Sequence, residues 1–181
     1  MADQGLALYR AFLQGDQRAL ETLVTLYSDN LIRFAYLYVK DSAAAEDVAE
    51  DVFVALLLKR KPFEERAKFQ TYLYTVARNK SLDYLRRHKK QIPLEDVESV
   101  LHTPCFESML ERKESYKTLY RCMNYLPEQY REVLHLTYFE GLSVAQICKI
   151  TKQNTKQVYN LLSRAKHSLK ELLKQQGVFS P

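Results

Sequence analysis

Residues 126–173, LPEQYREVLHLTYFEGLSVAQICKITKQNTKQVYNLLSRAKHSLKELL, decide the fold. Leu126-Pro127-Glu128 opens a helix, with proline at the first helical position and an acid in the first turn. Tyr130, Val133, Leu134 and Tyr138 give that helix one apolar face, and Gly141 stops it. Ser143-Val144-Ala145-Gln146 is a capping box that starts a short helix from Val144 to Lys149. A turn around Ile150-Thr151-Lys152-Gln153 follows, then a looser capping signal, Asn154-Thr155-Lys156-Gln157. The last helix carries the stripe Val158, Leu161, Leu162, Ala165, Leu169, Leu172 and Leu173. Helix, tight turn, longer helix is helix-turn-helix geometry, in which the second helix enters the major groove of DNA. Opposite the stripe lie Lys156, Tyr159, Asn160, Ser163, Arg164 and Lys166. Asn pairs with adenine and Arg with guanine through two hydrogen bonds each. Lys149 and Lys152 flank the turn, where phosphates would sit. From Lys149 to Lys174 seven cations face a single acid, Glu171, whereas a merely solvated helix face mixes both signs.

The rest of the 181-residue chain is also helical in pattern. Only 4 glycines and 5 prolines occur, too few for the turns of a β-rich fold. Leu20, Leu23, Val24, Tyr27, Leu31, Phe34, Ala35 and Tyr38 recur at helical spacing, as do Phe69, Tyr72, Leu73, Val76 and Ala77. Gly15-Asp16 separates the first two helices, Asp41-Ser42 caps the next, and Pro62 ends it. From about Gln91 to Glu114 the chain carries Pro93, Pro104 and several acids without an apolar stripe, and reads as a linker. The fold class is therefore all-α: two small helical domains joined by a linker, the C-terminal one a helix-turn-helix.

The formal charge of +5 is compatible with a nucleic-acid partner. Cys105, Cys122 and Cys148 are odd in number and widely spaced, which suggests reduced thiols, with Cys122 and Cys148 as ordinary buried residues. No run approaches the ~18 apolar residues of a membrane span. The sequence starts without the basic and apolar segments of a signal peptide, so a cytoplasmic location is expected. No Gly-rich phosphate loop, metal-ligand spacing or nucleophile signature is present, and His88, His102, His135 and His167 are scattered. Neither an enzyme activity nor a cofactor or metal is expected.

Two further segments carry chemistry. In Ala45-Glu46-Asp47-Val48-Ala49-Glu50-Asp51-Val52-Phe53 the acids crowd one helical surface while Val48 and Val52 point inward. Like charges at this spacing cost stability, which suits a surface that docks on a basic partner. In the second segment, aromatic residues from Phe69 to Tyr74 precede a basic cluster ending in Arg86, Arg87, His88, Lys89 and Lys90. Rings to stack bases, with cations to hold phosphates, are what single-stranded DNA requires.

The order AEDVAEDVF, FQTYLYTVARNKSLDYLRRHKK, linker, LPEQYREVLHLTYFEGLSVAQICKI and VYNLLSRAKHSLKELL resembles the RNA polymerase sigma factors of the sigma-70 family, extracytoplasmic-function group. The resemblance runs from about Ala11 to Leu173. It implies a protein that binds core RNA polymerase and directs promoter-specific initiation. Residues 1–92 would be sigma region 2, 93–113 an acidic linker running toward the polymerase active-site channel, and 114–181 sigma region 4. Glu46, Asp47, Glu50 and Asp51 match the surface that grips the polymerase β′ coiled coil, with Glu50 where the family usually has Gln. Phe69, Tyr72, Arg78, Asn79, Lys80, Arg86 and Arg87 match the minus-ten surface, with Asn79 lining the pocket for a flipped-out base and Tyr72 in place of the common tryptophan. Lys152, Lys156, Tyr159, Asn160, Ser163, Arg164 and Lys166 match the minus-thirty-five reader, although Thr155-Lys156-Gln157-Val158 departs from the usual opening of its recognition helix. Promoter DNA and an anti-sigma protein are the further partners implied. A helix-turn-helix regulator acting without polymerase would leave the acidic helix and the aromatic-basic segment without a role. An adaptor using helical surfaces only for protein contacts would leave the basic recognition helix without one.

Overall fold

In the computed structural model, residues 3–59, 68–88 and 114–175 are described. Pro62, Lys89, Lys90, the acidic linker, Cys105 and His102 lie outside them. All regular structure among the described residues is helical, and the chain separates into two compact units, Met1–Ile92 and Pro93–Pro181.

The first unit holds α1 (Gln4–Leu13), α2 (Gln17–Val39), α3 (Ser42–Lys59) and α4 (Phe69–Arg87). Helix α2 is its centre and packs against the other three. Its first half follows the expected single apolar face. From Phe34 to Val39 every residue is buried, because the unbroken run FAYLYV leaves no side for water. Asp16 caps α2 by accepting from the Ala19 amide, after a turn in which Gly15 takes φ +105°. Asp41 caps α3 through the Ala44 amide at 2.7 Å.

A second use of a cap was not visible in the sequence. Asp3 Oδ1 accepts from the Leu6 amide at the start of α1, while its Oδ2 accepts from the Phe69 amide at the start of α4, at 2.8 Å. Lys68, at the N-cap of α4, supplies no side-chain bond, so one carboxylate serves two helices. Close approach at Gly5 makes this possible: a Cβ there would lie 2.5 Å from the Tyr27 hydroxyl and 2.8 Å from the Phe69 ring.

The second unit holds α5 (Glu114–Asn124), α6 (Glu128–Leu134), α7 (Val144–Thr151) and α8 (Thr155–Gln175). Pro127 is the N-cap of α6 and not its first helical residue, one position from the expectation. Arg131 Nη1 donates to the carbonyls of Leu126 and Asn124, which fastens the α5–α6 turn. The helix does not run evenly to Gly141. It widens into a π turn, His135–Phe139, and Gly141 (φ +62°) then redirects the chain. His135, which lacks a neighbour in sequence, finds one across this turn: its Nε2 lies 3.2 Å from Glu140 Oε1, with both side chains buried. The ring also stacks on Phe139.

Both capping boxes of the helix-turn-helix form. Ser143 and Gln146 bond reciprocally. The box that reads as looser is the tighter: the Asn154 amide donates to Gln157 and the Gln157 amide to Asn154, each at 2.9 Å. Between them Lys152 holds the left-handed conformation, φ 57°.

Candidate functional site

On α3 the core takes Ala45, Val48, Ala49, Val52 and Phe53, which leaves Glu46, Asp47, Glu50 and Asp51 exposed along the outer face. The expected acidic surface is therefore presented as one patch. It is not isolated from the basic residues of α4. Asp51 Oδ2 pairs with Lys80 Nζ at 3.1 Å. A polar groove of about 430 Å³ runs between the helices, with Asp47, Glu50 and Asp51 on one side and Lys80, Tyr84, Arg87 and His88 on the other.

The candidate minus-ten residues divide by burial. Phe69 does not belong with them: it is completely buried, stacked on Tyr9 at 5.3 Å and edge-on to Tyr27. Its apolar ring fills the seam where α1 meets α4, so it supports the surface from beneath and cannot touch DNA. Tyr72 is half-buried, with Lys59 against it: Lys59 Nζ is 3.4 Å from the hydroxyl and 5.2 Å from the ring centre. Below it, burial and then the neighbouring Tyr72 push the Tyr9 hydroxyl pKa up. Asn79 is exposed and Arg78 half-buried. Arg86 pairs with Asp83 at 2.9 Å, and Arg87 Nε donates to the Asp83 carbonyl at 3.3 Å. Asp83 thus tempers the basic cluster, a role not anticipated. His88 closes the helix by stacking on Tyr84.

In the second unit Val158, Leu162 and Ala165 are buried, and Lys156, Tyr159, Asn160, Ser163 and Arg164 are exposed on the opposite side of α8. Lys152 is exposed at the turn before them. His167, not among the candidates, is exposed eleven residues after Lys156 and so returns to the same face. Lys166 is exposed but set apart: its ammonium lies 5.7 Å from the centre of the Tyr138 ring, on the flank of the helix. That flank borders an apolar groove of about 520 Å³ lined by Leu119, Met123, Leu134, Tyr138, Phe139, Leu169 and Leu173. The stripe that reads as core along all of α8 is core only in its first half; Leu169, Leu172 and Leu173 are half-exposed.

Cys122 is buried, and burial pushes its thiol pKa up. Cys148 is not the buried residue expected: it is half-buried, its Sγ 3.9 Å from Thr155 Oγ1. Among the described residues no cluster of His, Cys, Asp and Glu has the makings of a metal site, and no helix is long and apolar enough to cross a membrane.

Comparison with known proteins follows this division. The profile of Sigma-70 region 2 matches residues 23–91, and that of Sigma-70, region 4 matches residues 116–169, together about two thirds of the chain. The ECF RNA polymerase sigma factor SigM of Bacillus subtilis is 28% identical over 154 residues, covering 84% of this chain and 94% of its own. SigW of the same organism is 26% identical over 172 residues, covering 89% and 92%. In fold, the chain is similar to CnrH, solved in complex with the cytosolic domain of CnrY (TM-score 0.67, 24% identity, 96% of this chain and 99% of that one). It is also similar to RpoE of Bartonella quintana, solved with the anti-sigma factor NepR (TM-score 0.68, 21% identity, 85% and 96%).

Proposed function

We infer how this chain works from what it is: it belongs to the sigma-70 family, in the extracytoplasmic-function group, and is a sigma factor that directs promoter-specific initiation by RNA polymerase. The residue-level reading is our proposal. It is carried by one observation, that among the described residues each unit presents its own polar, cation-bearing helix face, and the first adds the acidic face of α3.

On this reading residues 1–92 dock on the basic coiled coil of polymerase β′ through Glu46, Asp47, Glu50 and Asp51. Tyr72, Arg78, Asn79, Lys80, Arg86 and Arg87 take the opened minus-ten strand. Unstacking a base costs a few kcal/mol, which a fitted pocket beside Asn79 offsets. In the second unit the reciprocal Asn154–Gln157 box fixes where the recognition helix starts. Asn160 and Arg164 then meet base edges, and Lys152, Lys156, Tyr159 and Ser163 hold the backbone. Residues 93–113 join the two. The chain catalyses nothing itself; bond formation belongs to the polymerase. It works in the cytoplasm under an anti-sigma protein, for which the apolar groove beside Tyr138 offers surface.

The test is reconstitution: purified chain, a bacterial core polymerase and a fragmented genomic library, with transcript starts mapped. Discrete starts that depend on the chain support the proposal, and none at all refutes it. Asp47→Lys with Glu50→Lys should abolish co-purification with core, because like charges would face each other. Asn160→Ala and Arg164→Ala should each lower promoter-specific initiation by about 1–3 kcal/mol in free-energy terms while core association persists.

A further inference from the structure

Lys59 is the last residue of α3. A cation in the final turn suits the helix dipole, which accounts for its presence there but not for where it points. A solvated lysine gains rotamer freedom by extending into water. Here it lies instead back across α4, with its ammonium 3.4 Å from the Tyr72 hydroxyl and 5.2 Å from the ring centre. Tyr72 and Asn79 are seven residues apart on α4 and so share one face. The contact therefore sets an exposed cation against the aromatic member of the face assigned above to the opened strand. Ring and cation side by side are the minimal device for one nucleotide: the base stacks on the ring and the adjoining phosphate takes the charge.

We propose that Lys59 is a strand-binding residue of the minus-ten surface: its ammonium holds the Tyr72 ring in place for stacking and binds the phosphate next to the stacked base. The inference rests on the assignment of Tyr72 to that surface. A tyrosine ring offers a smaller stacking face than an indole, and the cation against it supplies affinity that the ring alone lacks.

The test uses the full chain assembled with core polymerase. The probe is a fork-junction DNA carrying the minus-ten strand of the strongest start mapped in vitro, with 2-aminopurine in that strand. Lys59→Ala should weaken fork-junction binding about two- to fivefold, the size of an exposed cation–π contact. It should also lower the slope of log affinity against log salt by about 0.7, the value for one single-strand phosphate. Lys59→Arg, which keeps both charge and ring contact, should restore most of the binding. In a Tyr72→Ala background the loss from Lys59→Ala should be smaller than in the wild-type chain. If Tyr72→Ala weakens binding while Lys59→Ala does not, or if the two losses simply add, the inference is wrong and the assignment of Tyr72 stands. If Tyr72→Ala itself leaves binding and 2-aminopurine fluorescence unchanged, that assignment fails and Lys59 fails with it.

Discussion

Replacing Lys152 by glycine should move stability and DNA binding in opposite directions. Lys152 is held at φ 57°, ψ 33° in the turn between the two helices of the helix-turn-helix. An L-residue in this region costs roughly 1–2 kcal/mol, and glycine escapes that cost at the expense of about 0.5–1 kcal/mol of added freedom in the unfolded chain. The expected net gain is about 0.5–1 kcal/mol, or roughly 2–8 °C in the melting of a unit this size. The same change removes a cation proposed to sit on a phosphate. The slope of log affinity against log salt for a minus-thirty-five duplex should then fall by about 0.9, and affinity at 0.1 M salt by up to about tenfold. Differential scanning calorimetry and fluorescence anisotropy across a salt series measure the two arms. Lys40→Gly is the control. Lys40 has the same backbone conformation at φ 55°, but its ammonium lies 5.3 Å from the Tyr36 ring centre, so relief of strain is offset by a lost cation–π contact. Its salt slope should not change. A Lys152→Gly chain that binds duplex with an unaltered slope would refute the phosphate role, and one that melts lower would refute the strain argument.

Asp3→Ala should destabilise the first unit by about 2 kcal/mol, since it removes caps from two helices, and Asp3→Asn by less; urea unfolding followed by circular dichroism would report both. Gly5→Ala should cost roughly 1–3 kcal/mol, because its methyl group would overlap Tyr27 and Phe69 unless α1 shifts, and an unchanged midpoint would show that the seam is looser than described. Under native conditions a thiol reagent should label Cys148 well before Cys122, whose thiol is buried and held protonated; peptide mapping that finds the reverse order would contradict the packing around Cys122.

Local features were legible and tertiary ones were not. Ser143–Gln146 and Asn154–Gln157 are bonds between residues three apart, so the motif that places the recognition helix is written in neighbouring letters. The acidic face of α3 was legible because period 3.6 alone separates Val48 and Val52 from Glu46, Asp47, Glu50 and Asp51. Phe69 was misassigned because its neighbours suggest a stacking surface, whereas its burial is decided by Tyr9, sixty residues earlier. Lys166 has the composition of the proposed DNA face, but its place is set by Tyr138 in the π turn that ends α6. The Asp51–Lys80 pair and the Lys59–Tyr72 contact likewise join different helices, and no periodicity within one helix encodes them. The π turn at His135–Phe139 has no turn residue to announce it, because its wide geometry comes with a buried pair that closes across it.

The carboxylate of Asp3 ties the opening residues of the chain to an amide 66 positions later. Loosening of the first turn of α1 would therefore uncover the leading end of the helix that bears Tyr72 and Asn79. On the proposed assignment of Tyr72 and Asn79 to the opened strand, a cut or an insertion beside Asp3 would weaken strand binding as well as stability.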